Sequence, residues 1–167
     1  MSEPNVTGRL EAFSDGVFAI ALTLLVIDIR APATDSISST QDLWHALREL
    51  VPVTFAFLLS FGIVFITWVN HHGTLKMVNR STPSFIYANG FMLLTVAFIP
   101  FPTSLLGGFI GTGYAGPAVF LYNAVLVVQA MAWIVMLGTA LGNRLAKDEQ
   151  SVATMRTNRR NGYFALV

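Results

Sequence analysis

Apolar and polar positions along this chain sort into four long hydrophobic stretches, at about 12–29, 51–69, 84–106 and 117–141, with shorter connections between them. Each approaches the roughly 20 residues a helix needs to cross a bilayer core. No Asp, Glu, Lys or Arg occurs from Val51 to Leu75, nor anywhere from Ser81 through Asn143. The second of these runs is too long for one span and must hold two. Their connection is marked by Pro100, Pro102, Gly107, Gly108, Gly111, Gly113, Gly116 and Pro117, residues that punctuate backbone structure. Beyond Asn143 the chain is polar as far as Asn161 and turns apolar again over 163–167, as the first turn of a fifth span would. The pattern predicts an all-α membrane protein, a multi-span helical bundle forming a single transmembrane domain over 1–167, with further spans expected after the fourth.

Composition agrees with the pattern. Hydrophobic residues make up 54% of the chain and charged residues 11%, against about 25% charged in soluble domains. A cleaved signal peptide competes for the first segment, because the unbroken apolar stretch from Val17 to Ile27 is short. The flank before it is not net basic and no clear A-x-A site precedes the polar loop, so a retained span is expected. Four spans place Arg9, Lys76, Arg80, Arg144, Lys147, Arg156, Arg159 and Arg160 on one side, with Arg30 and Arg48 on the other. Cytoplasmic loops are the ones enriched in Lys and Arg, so the N-terminus is expected in the cytoplasm. The formal charge of +1 hides this asymmetry and argues against a nucleic-acid binder with a basic face. The chain has no cysteine, which excludes disulfides, thiolate catalysis and Cys-ligated metals.

Candidate chemistry concentrates where the first span begins, at Arg9-Leu-Glu-Ala-Phe-Ser-Asp-Gly16. At 100° per residue, Phe13, Gly16, Ile20, Leu24 and Ile27 fall on one narrow face, with Arg9 one turn earlier and Thr23 at its border. Gly16 leaves room for a close neighbour, as small residues do between membrane helices. Ser14 and Asp15 point to the sides, where Asp15 either caps the helix start or joins a buried network, since a bare charge in lipid costs a few kcal/mol or more. Trp68 shares a helical face with at least one of His71 and His72 at the end of the second segment. They serve either as an interfacial aromatic anchor or as donors to Ser14 and Asp15 at the same depth. No metal site is expected, because adjacent histidines diverge and no carboxylate lies at ligand spacing. Gly111-Thr-Gly-Tyr-Ala-Gly116 matches a dinucleotide fingerprint without the strand and acidic residue it requires, and no nucleophile stands in a triad pattern, so an enzyme is not expected. Asn89, Thr95, Asn123 and Gln129 are expected to bridge spans through hydrogen bonds.

The motif Arg9-x-x-x-Phe13-Ser14-Asp15 resembles the signature of the transmembrane protein 175 potassium channels, in their single-repeat prokaryotic branch. Trp68-Val-Asn-His71-His72 and Asn89 with Pro100-Phe101 are similar to that family as well, so the likeness covers nearly the whole chain. The resemblance implies six spans per full subunit and a homotetramer whose first helices line a central pore in the cell membrane, with potassium as the permeant ion and no cofactor. It further implies rings of aliphatic side chains in place of a carbonyl-lined filter. Carried onto this sequence, the constriction is Ile20, then Leu24 and Ile27, and Arg9, Ser14, Asp15, Trp68 and His71 orient the pore helix. An uncharged ring cannot replace an ion's hydration shell, so it favours the ion that sheds water more easily and closes by dewetting. Asp28 and Glu49 are expected to raise the cation concentration near the outer side. The rival is a proton-coupled secondary transporter using Asp15.

Overall fold

A computed structural model of the chain describes residues 6–164 and is helical throughout, apart from short connections. The helices are α1 (Val6–Leu24), α2 (Thr40–Glu49), α3 (Val51–Lys76), α4 (Pro83–Phe98), α5 (Pro100–Phe109), α6 (Ala115–Gly142) and α7 (Glu149–Phe164). Among the described residues, four helical stretches are long and apolar enough to cross a membrane: Thr7–Asp28, Val51–Lys76, Pro83–Phe109 and Ala115–Gly142. Each extends past the hydrophobic stretch that announced it, because polar residues such as Asn70 and His71 continue the helix once its hydrogen-bond ladder is running.

Three features depart from the sequence reading. The third span is broken, with α4 ending at Phe98 and Pro100 opening α5 as its first residue. Proline tolerates that position because the first helical N–H groups have no partner in any case. So Pro100 starts a helix where a connection was expected, and the true connection comes later, at 110–114. Second, α2 is a short amphipathic helix inside what read as a polar loop. Ser39 caps it, accepting from the Asp42 amide at 3.1 Å, and Asp42 Oδ2 accepts from the Ser38 amide at 3.1 Å. Leu43, Trp44 and Leu47 form its exposed apolar face. Third, α7 begins at Glu149, well inside the polar segment, where Asp148 caps it by accepting from the Ser151 amide at 2.7 Å.

The core gathers around α4, which packs against α1 on one side and α6 on the other, while α3 packs against α1 and α5. Ser14, Phe18 and Ala21 of α1, Leu25 in the turn that follows it, and Phe85, Ala88, Asn89, Met92 and Val96 of α4 are buried. Between helices in lipid the hydrophobic effect supplies little, so close packing and polar contacts decide the arrangement. Gly107 shows this most directly: a Cβ there would stand 2.9 Å from Val53 Cα, so only glycine lets α5 approach α3 this closely. A second buried knot ties α3, α5 and α6, with Ser60 Oγ 2.7 Å from Thr103 Oγ1 and 2.9 Å from the Tyr122 hydroxyl.

At the end of α6 the Leu145 amide donates to the Ala140 carbonyl at 2.9 Å and the Arg144 amide to the Leu141 carbonyl at 3.2 Å. This double closure needs a left-handed residue at its centre, and Arg144 takes it with φ of 52°. A residue with a Cβ costs about 1–2 kcal/mol there relative to the right-handed form, which is why glycine is the usual choice. The chain then forms a single bridge, Ala146 to Val78, that fastens the start of α7 to the end of α3.

Candidate functional site

The first helix presents two faces with opposite roles. Ser14, Phe18, Ala21 and Leu25 recur at helical spacing and enter the bundle. On another side lie Phe13 (64% exposed), Ile20 (60%), Leu24 (41%) and Ile27 (59%), which the described residues leave largely open. Between Leu25 and Asp28 the helix tightens to three residues per turn. In that geometry residues i and i+3 eclipse, so Ile27 stands directly over Leu24 and the apolar line is kept. Thr23 borders the line and is exposed, its hydroxyl donating to the Ile20 carbonyl at 2.8 Å. The hydroxyl proton is thus engaged, and what Thr23 offers outward is oxygen lone pairs. Within the subunit a Cβ on Gly16 would meet nothing within 4 Å.

The buried face holds a relay of hydrogen bonds across three helices. His71 Nε2 lies 2.6 Å from Asn89 Oδ1, the Asn89 amide nitrogen donates to Ser14 Oγ at 3.1 Å, and the Ser14 hydroxyl donates to the Leu10 carbonyl at 2.8 Å. An amide oxygen only accepts, so His71 carries its proton on Nε2. Its ring is wholly buried, leans on Phe18 with centroids 5.2 Å apart, and leaves Nδ1 without a partner among the described residues. Alongside runs a second contact, in which the Trp68 indole donates to Asp15 Oδ1 at 2.8 Å. Trp68 stacks in turn on His72, with centroids 5.5 Å apart, and a cavity of about 340 Å³ opens between Asp15, Ala19, Leu22, Phe65 and Trp68.

Ser14, Asp15, Trp68 and His71, drawn from two distant parts of the sequence, therefore meet at one depth. Asp15 faces Trp68 and does not cap the helix. Arg9 is exposed one turn earlier, and among the described residues it takes no part in these hydrogen bonds. Phe13 faces outward with the apolar line. Asn89, expected only to bridge spans, is the joint of the relay.

Glu11 and His72 complete the neighbourhood, with His72 Nδ1 3.1 Å from Glu11 Oε1, near enough for an ion pair when the ring is protonated but not aligned as a hydrogen bond. Glu11, Asp15 and His72 each place one ligand atom within 4.8 Å of the others. Two carboxylates and an imidazole form a donor set suited to a divalent cation. No spacing within α3 reveals it, since both carboxylates come from α1. At the other end of the bundle Asp28 and Glu49 line a common cleft of about 630 Å³, but Arg30 lines it too, so its field is mixed.

The profile of the family described as endosomal/lysosomal potassium channel TMEM175 matches residues 9–100, which contain most of α1, the relay and the break before α5. A potassium channel of Chamaesiphon minutus is 43% identical over 131 residues, covering 78% of this chain and 64% of that protein. One of Streptomyces collinus is 41% identical over 130 residues, covering 77% and 62%. This chain thus spans a little under two thirds of the length of these curated relatives. The crystal structure of a lysosomal potassium-selective channel TMEM175 homologue from Chamaesiphon minutus superposes with a TM-score of 0.83 at 37% identity, covering 96% of this chain and 82% of that one. With the family profile matched over more than half of its length and the architecture of a solved relative in common, the chain belongs to the TMEM175 family.

Proposed function

We propose that this chain forms a homotetrameric, weakly to moderately potassium-selective cation channel in the cell membrane, with α1 of each subunit lining the pore and the N-terminus in the cytoplasm. The observation that carries the reading is the uncovered apolar line of Ile20, Leu24 and Ile27 on a helix whose opposite side is fixed by buried hydrogen bonds. The relatives named as potassium channels supply the ion. Four copies with these lines turned inward build stacked apolar rings, narrowest at Ile20. Such rings offer no charge or dipole to an ion, so passage depends on how much hydration water the ion sheds, and slight narrowing empties the ring of water and closes it. The Thr23 oxygens one turn above Ile20 offer the nearest polar relief. The relay from His71 through Asn89 to Ser14, with Trp68 on Asp15, sets the rotation of α1 and hence which residues the pore sees. Gly16, bare within the subunit, leaves room for a neighbouring α1 to approach.

The test is ion flux through full-length protein reconstituted in vesicles, with potassium expected to pass faster than sodium. Equal rates, or none for either, would sink the proposal. Ile20→Asn hydrates the ring and is expected to shrink the difference in reversal potential between potassium and sodium gradients. Saturable, pH-coupled solute uptake without conductance would favour a transporter working through Asp15.

A further inference from the structure

A cleft of about 250 Å³ opens where α6 ends and α7 begins, lined by Ala140, Leu141, Arg144, Ala146, Val152 and Arg156. Two arginines line it among otherwise aliphatic residues. Among the described residues neither arginine has a carboxylate within ion-pair distance. The acid next in sequence, Asp148, is occupied in capping α7 through the Ser151 amide. Arg144 holds its place in the left-handed conformation, where glycine is the ordinary choice. Its helix closure uses only the backbone, which leaves the side chain outside the hydrogen bonds of the turn.

The surroundings decide what kind of anion fits. The cleft lies at the end of α6, a helix of 28 residues that is long enough to span a bilayer, and therefore at the level of the headgroups. The Ala146 to Val78 bridge brings Lys76 and Arg80 to the same end of the bundle, and Lys147 adjoins it. Guanidinium groups recognise phosphate oxygens in a planar, paired fashion that a point charge does not reproduce. Basic clusters beside spans attract anionic lipids. The aliphatic wall beside the arginines suits a glycerol backbone and the start of an acyl chain, which a free phosphate lacks.

We propose that this cleft seats the phosphate headgroup of an anionic phospholipid, with Arg144 and Arg156 as its ligands and Leu141 and Val152 against its apolar stem. The site is independent of ion conduction. It is tested on full-length protein by native mass spectrometry, counting retained phosphatidylglycerol against phosphatidylcholine from equimolar mixtures. Wild type is expected to prefer phosphatidylglycerol, and Arg144→Gln with Arg156→Gln to lose that preference by about tenfold. Lys76→Gln with Arg80→Gln removes the same charge outside the cleft and is expected to keep it. Arg144→Gly separates binding from folding: it relieves the left-handed strain, so thermal stability should hold or rise while lipid retention falls. Four results overturn the proposal: no preference in wild type, equal loss in the Lys76 and Arg80 control, unchanged retention in both arginine variants, or displacement of the lipid by millimolar inorganic phosphate, which would make the site one for the free anion.

Discussion

Replacing Asn89 with leucine removes the joint between α1, α3 and α4 while keeping the side chain's branching and its number of heavy atoms. Two hydrogen bonds go, to His71 at 2.6 Å and to Ser14 at 3.1 Å. Side-chain hydrogen bonds between membrane helices average about 0.6 kcal/mol each, so the bonds alone are worth about 1 kcal/mol. The larger effect is the donor left behind. His71 is wholly buried and its Nδ1 already lacks a partner, so Asn89→Leu leaves the ring with both nitrogens unpaired. An orphaned buried polar group costs about 1–3 kcal/mol, which gives a total of about 2–4 kcal/mol. The same reasoning makes His71→Phe destabilising, because it strands the Asn89 carbonyl although the ring contact to Phe18 survives. Combining the two removes both orphans, so the double variant should be about 2–6 kcal/mol more stable than the sum of the singles. Denaturant unfolding in mixed micelles, followed by tryptophan fluorescence, measures all three. The reasoning fails if Asn89→Leu lies within about 0.5 kcal/mol of wild type, or if the two substitutions simply add.

Gly107→Ala should destabilise by about 1–3 kcal/mol, since its Cβ meets the Val53 backbone at 2.9 Å and backbone cannot rotate away. Gly108→Ala, which has open space at the adjacent position, should be neutral or stabilising by up to about 1 kcal/mol in the same unfolding assay. The Asp42 carboxyl is held below its usual range, first by the Ser39 hydroxyl and then by the Ser38 amide. A lowered folded value means that the ionised carboxylate supports α2 above the ordinary carboxylate range and that this support is lost as pH falls through the lowered value. Amide protection factors across 40–49, with the intrinsic pH dependence of exchange divided out, should therefore fall on acidification, and Asp42→Asn should remove that dependence.

The spans were legible because hydropathy accumulates over some 20 residues and tolerates errors at the ends. The apolar line on α1 was legible for a related reason, since a fixed 100° step converts positions into faces without knowledge of neighbours. Ser14, Asp15, Trp68 and His71 shared a membrane depth that counting could estimate, yet which donor met which acceptor depended on how α1, α3 and α4 are rotated. That is why Asn89 emerged as the joint only in three dimensions, and why Glu11 went unnoticed beside His72. The break before α5 was misplaced for a different reason. Proline ends one helix and opens the next with equal ease, and Pro100 does the second. The start of α2 had a local signal, Ser39 three residues before Asp42, which a short polar helix needs and a long apolar span does not.

The central claim is that Ile20 of α1 faces its own copies across a pore. Residues 1–167 contain no cysteine, so Ile20→Cys, with any cysteine elsewhere in the full-length subunit replaced by serine, is the one thiol to be probed. Thiolates bind soft divalent cations tightly, so a ring of four should capture cadmium and stop potassium flux in reconstituted vesicles, with recovery on chelation. Val26→Cys, exposed on another side of the same turn, should leave flux unaffected by cadmium. If Ile20→Cys conducts potassium and cadmium does not block it, the line of Ile20, Leu24 and Ile27 does not converge on the pore and the account is wrong.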